Sequence, residues 1–200
     1  MTEGGAAARP GDEEQLTDVL VRVQASVVPT LTQRVDELLT AAVTVLGVDS
    51  VGVMLLDSTD RPRLISGSDE PVTALENAQI ATGQGPGMDT LRTGATVAVD
   101  DIADRPEYAR LWQQIVPEGL RAVVSSSITV GGDIVGNLNA ALSDAHAWTQ
   151  AQIRANDAYA GVVGVVLGAT VRALEGSRKI DRLHAEIALS GPLEELDEDG

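Results

Sequence analysis

Gly83-Gln84-Gly85-Pro86-Gly87-Met88-Asp89-Thr90-Leu91-Arg92-Thr93-Gly94 is the stretch on which the reading of this chain turns, together with the β-rich runs of 122–142 joined through Gly131-Gly132-Asp133. Proline is tolerated in the first turn of a helix, where its missing N–H is unsatisfied anyway, so Pro86 marks a helix opening out of a glycine loop. Gly131-Gly132 supplies the positive φ angles of a tight hairpin turn. Between the two lie a short strand at Thr96–Val99 and a loop and helix over Asp101–Glu118 around Tyr108 and Trp112. The hairpin then ends in Gly136-Asn137-Leu138-Asn139.

Working outward, Leu16, Val19, Leu20, Val23 and Val27 recur at helical spacing until Pro29 interrupts them. Thr30 reads as the cap of a second run carrying Leu31, Val35, Leu38, Leu39, Ala42 and Leu46, stopped by Gly47. Val51–Asp57 and Arg63–Ser66, separated by Asp60-Arg61-Pro62, read as an antiparallel pair, and Pro71–Ala81 as a helix. Thr149 opens a long helix reaching about residue 188, with Trp148 packing at its start. The ends, 1–12 and 189–200, are expected to be disordered tails around a single domain of 13–188, the second of them acidic.

Inside the long helix, Ala158–Val171 is a run of small and apolar residues. At about 1.5 Å per residue it falls short of the roughly 30 Å hydrocarbon core, which argues against a membrane span. It contains Gly161, Gly164 and Gly168, and each glycine costs about 1 kcal/mol of helix propensity relative to alanine. Close packing should compensate: either a second helix, in which case Leu16, Val23, Leu31, Gly161, Gly164 and Gly168 line a homodimer interface, or the strands of the chain's own sheet.

Composition narrows the function. Net charge is −16 and Lys179 is the one lysine, so direct nucleic-acid binding, which depends on Lys and Arg neutralising phosphates, is disfavoured. The chain has no cysteine, which removes disulfides, thiolate metal sites and thiol nucleophiles. His146 and His184 lack companions at metal-ligand spacing, and Asp100-Asp101, as strand neighbours, point to opposite faces. We therefore expect no metal, no identified cofactor and no enzymatic activity. The region preceding Pro10 lacks a signal-peptide core, and the expected location is the cytoplasm.

The binding candidates come from three places. A two-residue turn at Gly131-Gly132 pairs Val130 with Asp133, placing Ser126 opposite Asn137 and gathering Ser126, Asn137 and Asn139 on one sheet face, where buried amides and hydroxyls could orient a ligand. Gly85, Gly87 and the helix start near Met88 read either as an anion cradle, with Arg92 one turn on, or as a structural turn. Tyr108 and Trp112, at i and i+4, share a helix face and could form an aromatic lid.

This order of elements from about Leu31 to Leu174 resembles a GAF domain, the small-molecule sensor module of signalling proteins. The matching positions are the Gly83–Gly94 loop and helix, Val97–Asp101 and the Gly131–Asn139 hairpin. The resemblance implies an α+β fold: a central antiparallel sheet of five or six strands, N- and C-terminal helices on one face, and pocket-forming helices and loops on the other. It is most similar to GAF domains that precede an RNA-binding ANTAR domain, with Ser177-Arg178-Lys179-Ile180 like an ANTAR entry and the acidic tail in place of the RNA-binding helices. Bilin attachment and the methionine sulfoxide reductase route both need a cysteine, and the Asn-Lys-Phe-Asp-Glu signature of cyclic-nucleotide GAF domains is absent. The expected role is a sensor that binds an unidentified small molecule and signals through a helical homodimer to a downstream regulatory protein. The alternative is a dimerisation or scaffold module whose pocket is filled by its own side chains.

Overall fold

A computed structural model of the chain describes residues 31–189. Leu16 and Val23, the expected first helix and both expected tails beyond those bounds therefore lie outside the described residues, and of Leu31 only its place at the start of a helix is described.

The first described helix, α1 (Leu31–Leu46), buries Val35, Leu39 and Ala42, a stripe at spacings of four and three that belongs to a helix lying on one surface. Strands β1 (Ser50–Leu56) and β2 (Pro62–Gly67) come next as an antiparallel pair. Their turn is built on Asp57, whose carboxylate accepts from Thr59 N at 2.8 Å, Thr59 Oγ1 at 2.7 Å and Arg61 N at 3.1 Å and pairs with Arg63 Nε at 2.9 Å. These donors hold the Asp57 carboxyl well below the usual range. Helix α2 (Glu70–Thr82) is capped by Asp69, which accepts from Val72 N at 3.0 Å, and has proline in its first turn. Helix α3 (Pro86–Thr93) leaves Gly85 at φ 127°, a conformation that favours glycine. Then come β3 (Val97–Val99), two 3₁₀ turns at Ile102–Asp104 and Pro106–Tyr108, α4 (Ala109–Ile115), β4 (Ala122–Val130), β5 (Asp133–Leu142) and α5 (Gln150–Leu189).

The five strands form one sheet in the order β2-β1-β5-β4-β3, with every neighbouring pair antiparallel. Side chains alternate across it. Val51, Val53, Val124, Ile128, Leu138 and Ala140 face α1 and α5, and Val123 and Ala141 face the layer of α2 and α4 around Val72, Leu75, Ile102, Leu111 and Ile115. This is the expected α+β architecture of an antiparallel sheet between two helical layers.

The β4–β5 register differs from the expected one. Val130 does pair with Asp133 and Thr129 with Ile134, but Ile128 then pairs with Gly136, leaving Val135 as an extra residue. That bulge advances the register by one. Asn137 consequently lies opposite Ser127, Asn139 opposite Ser125, and Ser126 opposite Leu138, so Ser126 is on the α5 face and not with the asparagines.

The start of α5 is a capping box. Thr149 Oγ1 accepts from Gln152 N at 3.2 Å, and Gln152 Oε1 accepts from Thr149 N at 3.0 Å. Trp148 and Ile153, flanking the box, pack against the same core, and Trp148 Nε1 donates to Val99 O at 3.1 Å. Thr149→Ala is expected to lower stability by about 1 kcal/mol, read as a lower urea midpoint at unchanged slope.

The glycines of α5 divide by face. Gly164 is buried on β4: a Cβ there would fall inside the contact radius of the Thr129 carbonyl oxygen. Gly168 is also buried, with Val130 Cγ1 3.3 Å from where its Cβ would be. These two make room for their own sheet, which corrects their expected place in a helix–helix interface. Gly161 is exposed with open space around it. Among the described residues no helix is long and apolar enough to cross a membrane.

Candidate functional site

The central strands put small and polar residues on the α2–α3 side of the sheet, Gly52 from β1, Ser125 from β4, and Asn137 and Asn139 from β5, together with the apolar Met54 of β1. Helix α2 lays Val72, Leu75, Glu76 and Gln79 along its inner face, so that two polar residues continue an apolar stripe at i, i+3, i+4 and i+7. Glu76, Gln79, Thr90, Ser125, Asn137 and Asn139 are all at 0% exposure. Buried polar groups of this kind must find partners or cost free energy.

Most do find them. Asn139 Nδ2 donates to both Glu76 oxygens, at 2.7 and 2.8 Å, and Gln79 Nε2 donates to Glu76 Oε2 at 2.9 Å. Gln79 Oε1 accepts from Gly87 N at 2.7 Å, tying the start of α3 to α2. Asn137 Nδ2 donates to Ser125 Oγ at 3.0 Å and to Asn139 Oδ1 at 3.3 Å, and Thr90 Oγ1 donates to Ser125 O at 3.2 Å. Asn137 Oδ1 has no partner among the described residues. The ion pairs Arg63–Asp57, Arg92–Asp89, Arg105–Glu107 and Arg121–Asp101 do not involve Glu76. Burial, opposed by the bonds from Asn139 and Gln79, raises the Glu76 carboxyl to about 7.

Helix α3 roofs this layer with backbone. A Cβ on Gly87 would lie 2.6 Å from Asn137 Nδ2, 2.8 Å from Met54 Cε and 2.9 Å from Asn139 Nδ2. Gly87→Ala is accordingly expected to cost about 1 kcal/mol, the low end for overpacking because the clashing atoms end flexible side chains. It should also shift the side-chain amide NMR signals of Asn137 and Asn139, which checks that the contact is the one described.

The expected site residues separate into groups. Asn137 and Asn139 are at the centre of the layer, and Gly85 is buried at its edge, where a Cβ would run into Gln79 and Leu111. Met88 is half-buried on α3, and Arg92 is exposed and pairs with Asp89 at 2.5 Å. The N–H of Gly87 is taken by Gln79, which removes one donor from the expected anion cradle. Tyr108 ends a 3₁₀ turn just before α4, is buried, and donates its hydroxyl to Asp89 Oδ2 at 2.5 Å, fastening α3 to the α4 region. Burial first, and Asp89 second, raise its phenol above the ordinary value. Trp112 packs half-buried against the same apolar cluster.

Ser126 is drawn away. Its hydroxyl donates to Asp157 Oδ1 at 2.6 Å and accepts from Asn156 Nδ2 at 2.8 Å, both on α5, while Thr96 Oγ1 donates to the same Asp157 oxygen at 2.5 Å. Asn156 Nδ2 also reaches Leu138 O at 3.4 Å and Val124 O at 3.5 Å. The consecutive residues Ser125 and Ser126 thus connect the buried layer on one side of β4 with the long helix on the other. Sequence reading missed Glu76, Gln79 and Ser125. The signal available was the Glu76–Gln79 pair at i, i+3 in phase with Val72 and Leu75.

Among the described residues no group of three or more His, Cys, Asp or Glu is placed to hold a metal ion. The model of the GAF domain family matches residues 30–167. Among solved structures, the domain of a protein assigned as a two-component sensor histidine kinase from Sinorhizobium meliloti 1021 is 19% identical with a TM-score of 0.61, the match covering 76% of this chain and 99% of that one. The GAF domain from a phosphoenolpyruvate-protein phosphotransferase of Coxiella burnetii is 15% identical at a TM-score of 0.59, covering 78% and 93%. A type II free methionine-R-sulfoxide reductase from Thermoplasma acidophilum is 14% identical at a TM-score of 0.51, covering 67% and 92%. At these identities the likeness is one of fold. Among curated proteins, none matches the chain.

Proposed function

The chain belongs to the GAF domain family, a family of sensor and regulatory modules, and from that premise we propose that it binds a small molecule at the layer centred on Glu76 and passes the state of that layer to α5. The observation that carries this reading is a fully buried carboxyl held only by neutral amides, beside an Asn137 oxygen without a partner among the described residues. Burying such groups is costly, and an apolar core of the same shape would be more stable. Recognition of a ligand gives them a use. Output would come from differential binding: a ligand that favours one arrangement of β4 shifts the seating of α5 through Ser126, Asn156 and Asp157.

The proposed assembly is a homodimer through the outer face of α5, where exposed Gly161 lies beside Val162 and Val165, 48% and 69% exposed. A downstream regulatory protein would receive the signal. We propose that it is similar to the GAF domains of ANTAR-type regulators, on Ser177–Ile180, and we read it as a cytoplasmic non-enzyme, since the thiol route of the reductase branch has no cysteine to use.

A scaffold role is favoured by one observation, the way Met54 and the glycine roof pack directly onto the asparagines. Native mass spectrometry of freshly purified protein, with denaturation of the same sample afterwards, separates the two. A dimer carrying a defined mass that denaturation releases supports the sensor; a bare protein that no metabolite stabilises against heat leaves the scaffold.

A further inference from the structure

We propose that the Glu76 layer selects a small molecule that presents a cationic, N–H-rich group, of the amidinium or protonated-amine class. This rests on the sensor reading and names the ligand chemistry of the same site.

The layer's charge and donor balance lead there. Its one ionisable side chain is an acid, at 0% exposure, and the groups facing it are uncharged from every side: Gln79 from its own helix, Gly52 from β1 and Asn139 from β5. The charged groups of α3, Asp89 and Arg92, are engaged with each other and with Tyr108. Ionised without a cation beside it, this buried carboxyl is an electrostatic deficit that a bound cation removes, and in a low-dielectric site that complementarity is strong. The neighbouring Asn137 Oδ1, also buried, is a second acceptor without a donor among the described residues. An anion would meet Glu76 itself, while a planar N–H donor set supplies the donors that a carboxylate and an amide oxygen accept.

Space has to be made, and the residue positioned to yield it is Met54. Its methyl sits against the Gly87 backbone, and its unbranched thioether side chain adapts more readily than a branched one. Binding a cation also displaces the proton that Glu76 otherwise retains, releasing it to solvent. With the carboxyl titrating at about 7, about a tenth of the sites are ionised at about pH 6 and about nine tenths at about pH 8. Affinity for a cation should therefore rise about tenfold between those two conditions.

Acetamidinium, acetamide and acetate are a near-isosteric set that is positive, neutral and negative. The full chain, labelled with ¹⁵N, would be titrated with each at about pH 6 and about pH 8 while the side-chain amide signals of Asn137 and Asn139 are monitored. The expected result is a saturable shift with acetamidinium, about tenfold tighter at the higher pH, that acetate does not produce and Glu76→Gln abolishes. Acetate or acetamide binding as tightly as acetamidinium would overturn the cation class while leaving a small-molecule sensor standing. Failure of all three to produce a saturable shift would overturn the class as well, and the sensor reading would then be decided by the released mass in native spectra. The pH dependence is measured on the unaltered protein, so the result does not depend on the variant folding.

Discussion

A Glu76→Gln variant is expected to lose most of the pH dependence of stability that the unaltered protein shows between about pH 4.5 and 7, a change of about 3 kcal/mol. The unfolded chain releases the Glu76 proton near 4.5, whereas the folded chain holds it to about 7. Between those values the native state binds the proton and the unfolded state does not, so stability falls as pH rises. The contribution is fully favourable below about 4.5, declines through the interval, and is gone above about 7. Asp57 works in the opposite sense, its carboxyl being held low, and its stabilisation is lost only as pH falls below its unfolded value of 3.8. The two windows do not overlap. Urea melts across the pH range, on both proteins, measure the difference. A wild-type profile flat between about pH 5 and 7, or a variant that keeps the slope, would show that Glu76 is solvated.

The second large effect is a pair of alanine substitutions in one helix with opposite signs. Gly164→Ala is expected to destabilise by about 2–3 kcal/mol, because the new methyl meets a backbone carbonyl of β4 and the helix must retreat from the sheet. Gly161→Ala faces open space and should stabilise the isolated domain by about 1 kcal/mol through helix propensity alone. The pair also tests the proposed dimer. If Gly161 lies in a close helix–helix contact, its alanine variant weakens self-association, and the gain appears only at protein concentrations where the chain is monomeric. A gain independent of concentration would remove Gly161 from the interface. Analytical ultracentrifugation beside the melts reads both quantities.

Much of the architecture is legible in the sequence. The stripe of Val35, Leu39 and Ala42, the Asp60-Arg61-Pro62 turn, Pro86 opening a helix and Gly131-Gly132 in a hairpin are local signals whose physics acts over a few residues. The composite site is less so. Asn137 and Asn139 stand out because amides on a central strand need partners, but their companions come from 63 residues away in the case of Glu76 and Asn139. Ser126 falls on the wrong side when the hairpin is read without a bulge, and the bulge at Val135 leaves no distinct mark in Asp133-Ile134-Val135-Gly136. Gly164 and Gly168 pose a question that composition does not answer, since a glycine makes room equally for a helix or for a strand.

By itself, the sequence determined the order of the strands and α-helices between residues 31 and 189, the absence of thiol chemistry and the family, because propensity, turn stereochemistry and composition are properties of short segments. It did not determine the 3₁₀ turn that takes Tyr108 off the helix of Trp112. Tertiary structure alone decided which of Ser125 and Ser126 faces the asparagines, that Gly164 rests on β4, and that Glu76 is sealed from water. The reason is parity and enclosure. A strand's faces are defined only relative to its partner's register, which one inserted residue reverses, and a carboxyl becomes buried only when the helix carrying it docks against a sheet made from distant parts of the chain.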